Sequence, residues 1–314
     1  MAHFADRLAD AIDSKETPCV VGLDPRVDLI PRPLRESVVG TAPITCELAA
    51  DLATVFCREV IGIVASRVPA VKVQAAFFER LGPPGYQAYV DTVRYAKSQG
   101  LLVIADVKRS DIGSTAKAYA EAHVGTTTVN GAELFDLGAD ACTVNPYFGV
   151  DGIEPFITEA VKHDRGLFIL VRTTNPSAAS IQALACKGVP LYMRVGALVH
   201  QWGKEHVGRR GYSCIGAVVG GTQPLDAEKL RRLMPQSYFL VPGYGAQGAG
   251  GAEVAAAFDP RGRGAIVNSS RGIIFAHTRS PYDRQFGEAR WRDAVAAATD
   301  AMIADLRNIV GRSF

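Results

Sequence analysis

An α/β fold, closed as a (β/α)8 TIM barrel, is predicted by three features of this 314-residue sequence. Eight short apolar runs recur along it, and between most of them lies room for a helix. The runs are hydrophobic nearly throughout instead of alternating with polar residues. Continuous apolar strands joined by helices belong to a parallel sheet covered on both faces. Eight repeats favour a closed barrel over an open doubly wound sheet.

The elements follow in order. Phe4, Leu8 and Ile12 recur every four residues, the stripe of an amphipathic helix. Acidic residues inside that stretch and the lack of a basic leading region separate it from a signal peptide. The first strand is CVVGL from Cys19 and the second AVKVQAAFF from Ala70. AYVDTVRYAKSQG is the helix before the third strand, LLVIADV from Leu101. ACTVNPY from Ala141, LFILV from Leu167 and CIGAVVG from Cys214 come next. AEKLRRLMPQ is the helix before the seventh strand, YFLVPG from Tyr238, and AIVNSS from Ala265 completes the set. The stretch between Asn175 and Ser213 is longer than one connection needs, and VPLYMRVGALVHQWGKEHV within it reads as an added helix. No linker, low-complexity tract or further repeat divides the chain. Residues 1–314 are therefore expected to form a single barrel domain with an added helical segment around 176–212.

Composition narrows the function classes. Apolar residues make up 48% and charged residues 21%, as in soluble globular proteins. A net charge of +2 without blocks of like charge argues against a basic nucleic-acid surface. The longest uncharged run, 233–252, carries Pro, Gln and several Gly, so it reads as a strand and loop and no membrane span is expected. The six cysteines are scattered with no C-x-x-C pair, and they read as reduced core residues of a cytoplasmic protein. His123, His163, His200 and His206 show no ligand spacing, and Trp202 and Trp291 read as packing residues.

In such a barrel the chemistry sits at the C-terminal strand ends. Asp24 ends the first strand, Lys72 lies on the second, and Asp106 and Lys108 end the third with Asp111 in the loop. Thr173, Thr174 and Asn175 follow the fifth, PGYGAQGAGG the seventh and NSSRG the eighth. Asp106 and Lys108 are two apart, so their side chains leave one face of the strand. If Lys72 on the neighbouring strand points to the same place, it joins them and Asp111 in an alternating Lys/Asp array whose carboxylates favour the protonated ammonium. A structural ion-pair network is the plainer reading of the same residues. The Gly-rich loop exposes backbone N–H groups just before the strand that carries Arg271. Loops after strands seven and eight commonly hold phosphate, and Arg forks onto phosphate oxygens; a tight turn is the plainer reading. Asp24 before Pro25 could bracket a turn, and Thr173 to Asn175 could be a turn and helix cap.

DVKRSDIGST, residues 106–115, resembles the D-x-K-x-x-D-I-x-x-T signature of the orotidine 5'-phosphate decarboxylase family. GLDP, VKVQAAFFE, TVNPY, RTTNPSA, PGYGAQG and NSSRG resemble what that family shows at successive strand ends, in the form of its longer bacterial branch, type 2. The resemblance implies a metal-free, cofactor-free lyase that converts orotidine 5'-phosphate to uridine 5'-phosphate and CO2, the last step of pyrimidine (UMP) biosynthesis. It makes Lys108 the proton donor to C6 and sets Asp106 beside the departing carboxylate. Lys72 and Asp111 complete the charged array. The positions of Asp111 and Thr115 reach into a neighbouring subunit's site, which implies a homodimer with shared active sites. Thr174 corresponds to the hydroxyl residue at the pyrimidine, Asp24 to a ribose contact, Gln247 to the bridge between phosphate and base, and Arg271 to the phosphate anchor. Ile112 and Pro242, inside two of the matching motifs, complete the implied substrate-binding set. Two rivals remain open: a Mg-dependent sugar-phosphate decarboxylase or aldolase on the same barrel, and a non-catalytic barrel that binds a nucleotide phosphate.

Overall fold

The computed structural model describes residues 2–245 and 250–310. Eight strands close a parallel barrel: β1 (Cys19–Leu23), β2 (Ala70–Gln74), β3 (Leu102–Arg109), β4 (Ala141–Val144), β5 (Gly166–Arg172), β6 (Ser213–Val219), β7 (Ser237–Val241) and β8 (Ala265–Ser269). Each pairs with its sequence neighbours, and β8 closes on β1 with Cys19 opposite Val267. All eight runs read from the sequence become barrel strands. They are buried almost end to end because one side faces the barrel interior and the other the helices.

The floor of the barrel is built by α1 (Phe4–Lys15), whose Phe4, Leu8 and Ile12 are buried as their spacing predicts. Phe4 meets Phe168 edge-on at 6.1 Å and lies against Gly166, where any Cβ would strike the ring. The outer helices include α2 (Cys46–Val64), α3 (Gly82–Ser98), α4 (Gly113–Val124) and α5 (Val150–Lys162). They continue with α6 (Leu191–Gly203), α7 (Pro224–Leu233) and α8 (Trp291–Val310). Thr45 starts α2 by accepting the Leu48 N–H at 3.2 Å. Helix α7 covers most of AEKLRRLMPQ but stops at Leu233, two residues before Pro235. Helix α8 packs through Trp291 on Phe56, which stacks on Phe275 at 5.4 Å.

Helix α6 is the helix foreseen within 176–212. It packs on β5 and β6, with Gly203 against β6 and Gly196 against α7, so it occupies the ordinary ring position between those strands. The glycines permit this closeness: a Cβ at Gly196 would meet Leu230, and one at Gly203 would meet the Ser213 hydroxyl. What lies outside that ring is residues 176–190, with a 3-10 turn, the short helix Ala179–Gln182 and a hairpin pairing Ala185–Cys186 with Val189–Pro190. A second hairpin, Thr127–Val129 with Ala132–Phe135, stands between α4 and β4. Four cysteines are buried, but Cys46 and Cys186 are exposed, because one opens α2 and the other sits in the 176–190 hairpin. No helix among the described residues is long and apolar enough to cross a membrane.

At the opposite end from the strand C-termini, Arg231 of α7 is buried without a carboxylate partner among the described residues. Its guanidinium donates to the carbonyls of Ala257, Met234, Ser237 and Gly264 at 2.7–2.9 Å and lies 3.7 Å over the Phe239 ring. Burial pulls its pKa down to about 10, and the carbonyls supply the polar contacts that water would otherwise make.

Candidate active site

The C-terminal strand ends surround a cavity of about 510 Å³. Asp24, Lys72, Asp106, Lys108, Thr174, Pro242 and Arg271 all line it, so one pocket gathers residues foreseen from six separate motifs. Asp111, Ile112 and Thr115 do not line it. They sit at the entry to α4, where Ile112 and Thr115 are exposed and Asp111 is half-buried. Gln247 lies outside the described residues.

Asp106 is the centre of the site. Its Oδ2 accepts from Lys72 Nζ at 2.5 Å and Gln74 Nε2 at 2.9 Å. Its Oδ1 accepts from Lys108 Nζ at 2.5 Å and the Thr143 hydroxyl at 2.8 Å. Strand register produces the first pair of contacts. Gln74 lies opposite Asp106 in the β2–β3 ladder, and Lys72 lies two residues earlier on the same face. Burial alone would raise the Asp106 carboxyl, but the Lys72 and Lys108 charges outweigh it and hold the group well below the usual carboxylate range. For Lys72 burial opposes the charge, yet Asp106 and then Asp24 outweigh it and raise the ammonium above its ordinary value. The two lysines differ in access: the Lys72 side chain is 7% exposed and that of Lys108 45%.

Lys108 has an unusual backbone. Its φ is +46°, in the left-handed region that a side chain with a Cβ enters at a cost. The β3–β4 register shifts there, because the four steps of β3 from Ala105 to Arg109 span only two steps of β4 from Cys142 to Val144. The resulting bulge re-aims Lys108, and its backbone N–H donates to Thr143 Oγ1 at 3.0 Å.

The rest of the wall offers groups to a ligand. Asp24 Oδ1 and Asn268 Oδ1 are buried with no hydrogen-bond partner among the described residues. Thr174 has its methyl against Gly220, where any Cβ would collide with it. Gln182 reaches in from the segment outside the ring: its Oε1 accepts the Thr173 N–H at 3.0 Å, and its Nε2 donates to Thr173 Oγ1 at 2.7 Å. Past β7, Gly243 and Gly245 take φ of +102° and +72°, which bends the chain at the mouth of the cavity. Arg271, just after β8, is exposed and has no hydrogen-bond or ion-pair partner among the described residues. No three His, Cys, Asp or Glu among the described residues are grouped as a metal site requires.

Sequence reasoning missed Gln74, Thr143, Gln182, Tyr244, Asn268 and Ser270 as cavity residues. Gln74 carried a usable signal, since it lies two residues beyond Lys72 on the same strand face. Gln182 carried none, because its approach depends on how residues 176–190 fold back.

Known proteins carry the same pattern. A family model described as orotidine 5'-phosphate decarboxylase / HUMPS family matches residues 47–281. A Rhodopirellula baltica protein named orotidine 5'-phosphate decarboxylase is 44% identical over 307 residues, covering 98% of this chain and all of its own length. One of the same name from Caldicellulosiruptor bescii is 39% identical, covering 88% of this chain and 91% of its own. The solved structure of Leishmania donovani OMP decarboxylase aligns with a TM-score of 0.73 at 27% identity, over 98% of both chains. With a family model spanning most of the barrel and relatives alike from end to end, the chain belongs to the orotidine 5'-phosphate decarboxylase / HUMPS family.

Proposed function

We propose that this chain decarboxylates orotidine 5'-phosphate to uridine 5'-phosphate and CO2 in pyrimidine biosynthesis, without metal or cofactor. The observation that carries the reading is the Asp106 carboxylate clamped between two ammonium groups inside the cavity. Breaking the bond from C6 to the carboxylate leaves an electron pair on a ring carbon with no adjacent group to absorb it. A positioned cation stabilises that charge and can then deliver a proton.

Lys108 is the donor in this reading. Its half-exposed side chain can hand its proton to C6, forming the C6–H bond, and recover one from water. Lys72 is buried between Asp106 and Asp24, so its proton is held and its part is electrostatic. Asp106 faces the departing carboxylate, Asp24 uses the oxygen that has no partner among the described residues on a ribose hydroxyl, and Thr174 meets the pyrimidine. Pro242 meets the nucleotide from the cavity wall, Gln247 bridges its phosphate and base, and Arg271 takes the phosphate. The positions of Asp111, Ile112 and Thr115, away from their own cavity, support their serving a second copy's site in a homodimer. We further propose that residues 1–314 act as one barrel unit in the cytoplasm.

The test is ultraviolet absorbance of the purified protein mixed with orotidine 5'-phosphate, with and without EDTA, beside Lys108→Ala. Conversion that ignores EDTA and disappears in the variant is expected. A folded wild-type protein that gives no conversion refutes the activity. Conversion abolished by EDTA moves the chain to the Mg-dependent chemistry of its superfamily.

A further inference from the structure

We propose that Thr143 is the positioning residue for Asp106 and Lys108, its one hydroxyl holding both in the arrangement that proton delivery needs. The inference rests on the decarboxylase reading and goes beyond it to a residue that touches neither the phosphate nor the ribose anchors.

Thr143 sits on β4 with 1% of its surface exposed. Its hydroxyl makes two bonds at once, donating to Asp106 Oδ1 at 2.8 Å and accepting the Lys108 backbone N–H at 3.0 Å. The second bond has a specific cause. The bulge between Ala105 and Arg109 interrupts the β3–β4 ladder, and backbone pairing resumes only where the Asn145 N–H meets the Arg109 carbonyl at 2.9 Å. Within the bulge the Lys108 N–H would be unsatisfied, and the Thr143 hydroxyl takes the place of the missing ladder acceptor. Lys108 holds a left-handed φ of +46°, which persists only where neighbours over-determine it.

The two bonds converge on one geometry. The Asp106 oxygen that accepts the hydroxyl also accepts Lys108 Nζ at 2.5 Å. Thr143 therefore fixes the start of the Lys108 side chain through the backbone and its end through Asp106. A lysine with four rotatable side-chain bonds is thereby aimed from both ends. Loss of the hydroxyl frees the backbone at Lys108 and removes one of the two donors that orient Oδ1.

The experiment compares wild type, Thr143→Val and Thr143→Ser for kcat, KM and uridine 5'-phosphate affinity. Valine keeps the branched shape and removes the hydroxyl, while serine keeps the hydroxyl and removes the methyl. Thr143→Val is expected to lose about 10–100-fold in kcat with product affinity within about threefold of wild type, and Thr143→Ser to stay within about threefold in kcat. Loss of product affinity in step with kcat would make Thr143 a binding contact and overturn the proposal. A Thr143→Val enzyme with wild-type kcat would also overturn it. Should the valine protein not fold, the serine variant decides: a loss of tenfold or more there assigns the effect to the methyl and sinks the role of the hydroxyl. Wild type is the control in the same assay. If it converts no orotidine 5'-phosphate, the decarboxylase reading fails first and this inference with it; if it does convert and valine is harmless, only the Thr143 role fails.

Discussion

Asp106→Asn strands a charge in the barrel, and its cost can be worked from burial. The Asp106 and Lys72 side chains are 6% and 7% exposed. The amide keeps the shape but leaves the Lys72 ammonium without its nearest counter-charge. Removing one partner of a buried ion pair costs about 3–5 kcal/mol, because the other remains uncompensated. Lys108 adds little, since its 45% exposed side chain is screened by solvent. At about 2.1 cal/mol/K of unfolding entropy per residue, 314 residues give roughly 0.66 kcal/mol/K, and the thermal midpoint should fall by about 5–8 °C. The pH dependence follows from the directions of the two shifts. Asp106 is depressed, so its stabilisation is complete above the unfolded carboxylate value of about 3.9 and is lost as pH falls through the lower folded value. Lys72 is raised, so its share is complete below about 10.4 and is lost as pH rises through the higher folded value. Wild type should hold both shares from about pH 4 to pH 10, and Asp106→Asn should lose the acid-side dependence. Scanning fluorimetry across that range and on below about pH 4 measures this, alongside the double variant Lys72→Met/Asp106→Asn. Removing the stranded ammonium should recover most of the loss. A single variant within about 1 °C of wild type, or a double variant less stable than the single, refutes the reasoning.

Two further outcomes follow from the same geometry. Lys108→Gly should be more stable than Lys108→Ala by about 1 kcal/mol in urea unfolding, because only glycine takes the left-handed backbone freely; both should be inactive, and the reverse order of stability would remove the case for strain. Arg271→Gln should weaken uridine 5'-phosphate binding by about 10–100-fold while leaving the thermal midpoint alone, since Arg271 has no partner among the described residues to lose. Calorimetric titration with uridine is the control: an equal loss of affinity for that phosphate-free ligand would take Arg271 away from the phosphate.

How far the site was legible depends on the range of the interaction involved. Strand identity is local, and the apolar runs from Cys19 to Ala265 disclose it. That Asp106 and Lys108 meet is also nearly local, because a strand returns to the same face every two residues. The left-handed backbone at Lys108 is not legible, since lysine carries no mark of positive φ as glycine would. It results from the unequal spans of β3 and β4, a property of two strands set side by side. Thr143 was visible only as part of TVNPY, and nothing in that motif says that its hydroxyl replaces a ladder acceptor. The same limit applies between 176 and 190. The helical pattern of 191–203 can be read from spacing, whereas the return of Gln182 to Thr173 depends on a fold-back that leaves Ile181 and Leu184 exposed.

The filling of Asp106's coordination bears on what drives the reaction. A carboxylate offers about four acceptor positions, and Lys72, Gln74, Lys108 and Thr143 account for four hydrogen bonds. A group so satisfied and so weakly basic is ill suited to accept a proton, which leaves it a fixed negative charge as its working form. In the proposed reaction the substrate brings its own carboxylate toward that charge, and the approach is unfavourable unless contacts elsewhere offset it. The contacts available are remote from C6: the Asp24 oxygen and the Arg271 guanidinium, neither of which has a partner among the described residues. Binding energy gained there can hold the substrate carboxylate against Asp106, and departure of CO2 relieves the opposition while the Lys108 charge remains beside the carbanion. Phosphate-free orotidine should then lose more in kcat/KM than uridine loses in affinity relative to its 5'-phosphate, because only the reacting ligand carries the opposing carboxylate. Equal losses would mean that Asp106 does not oppose the bound substrate and that its role is confined to orienting Lys72 and Lys108.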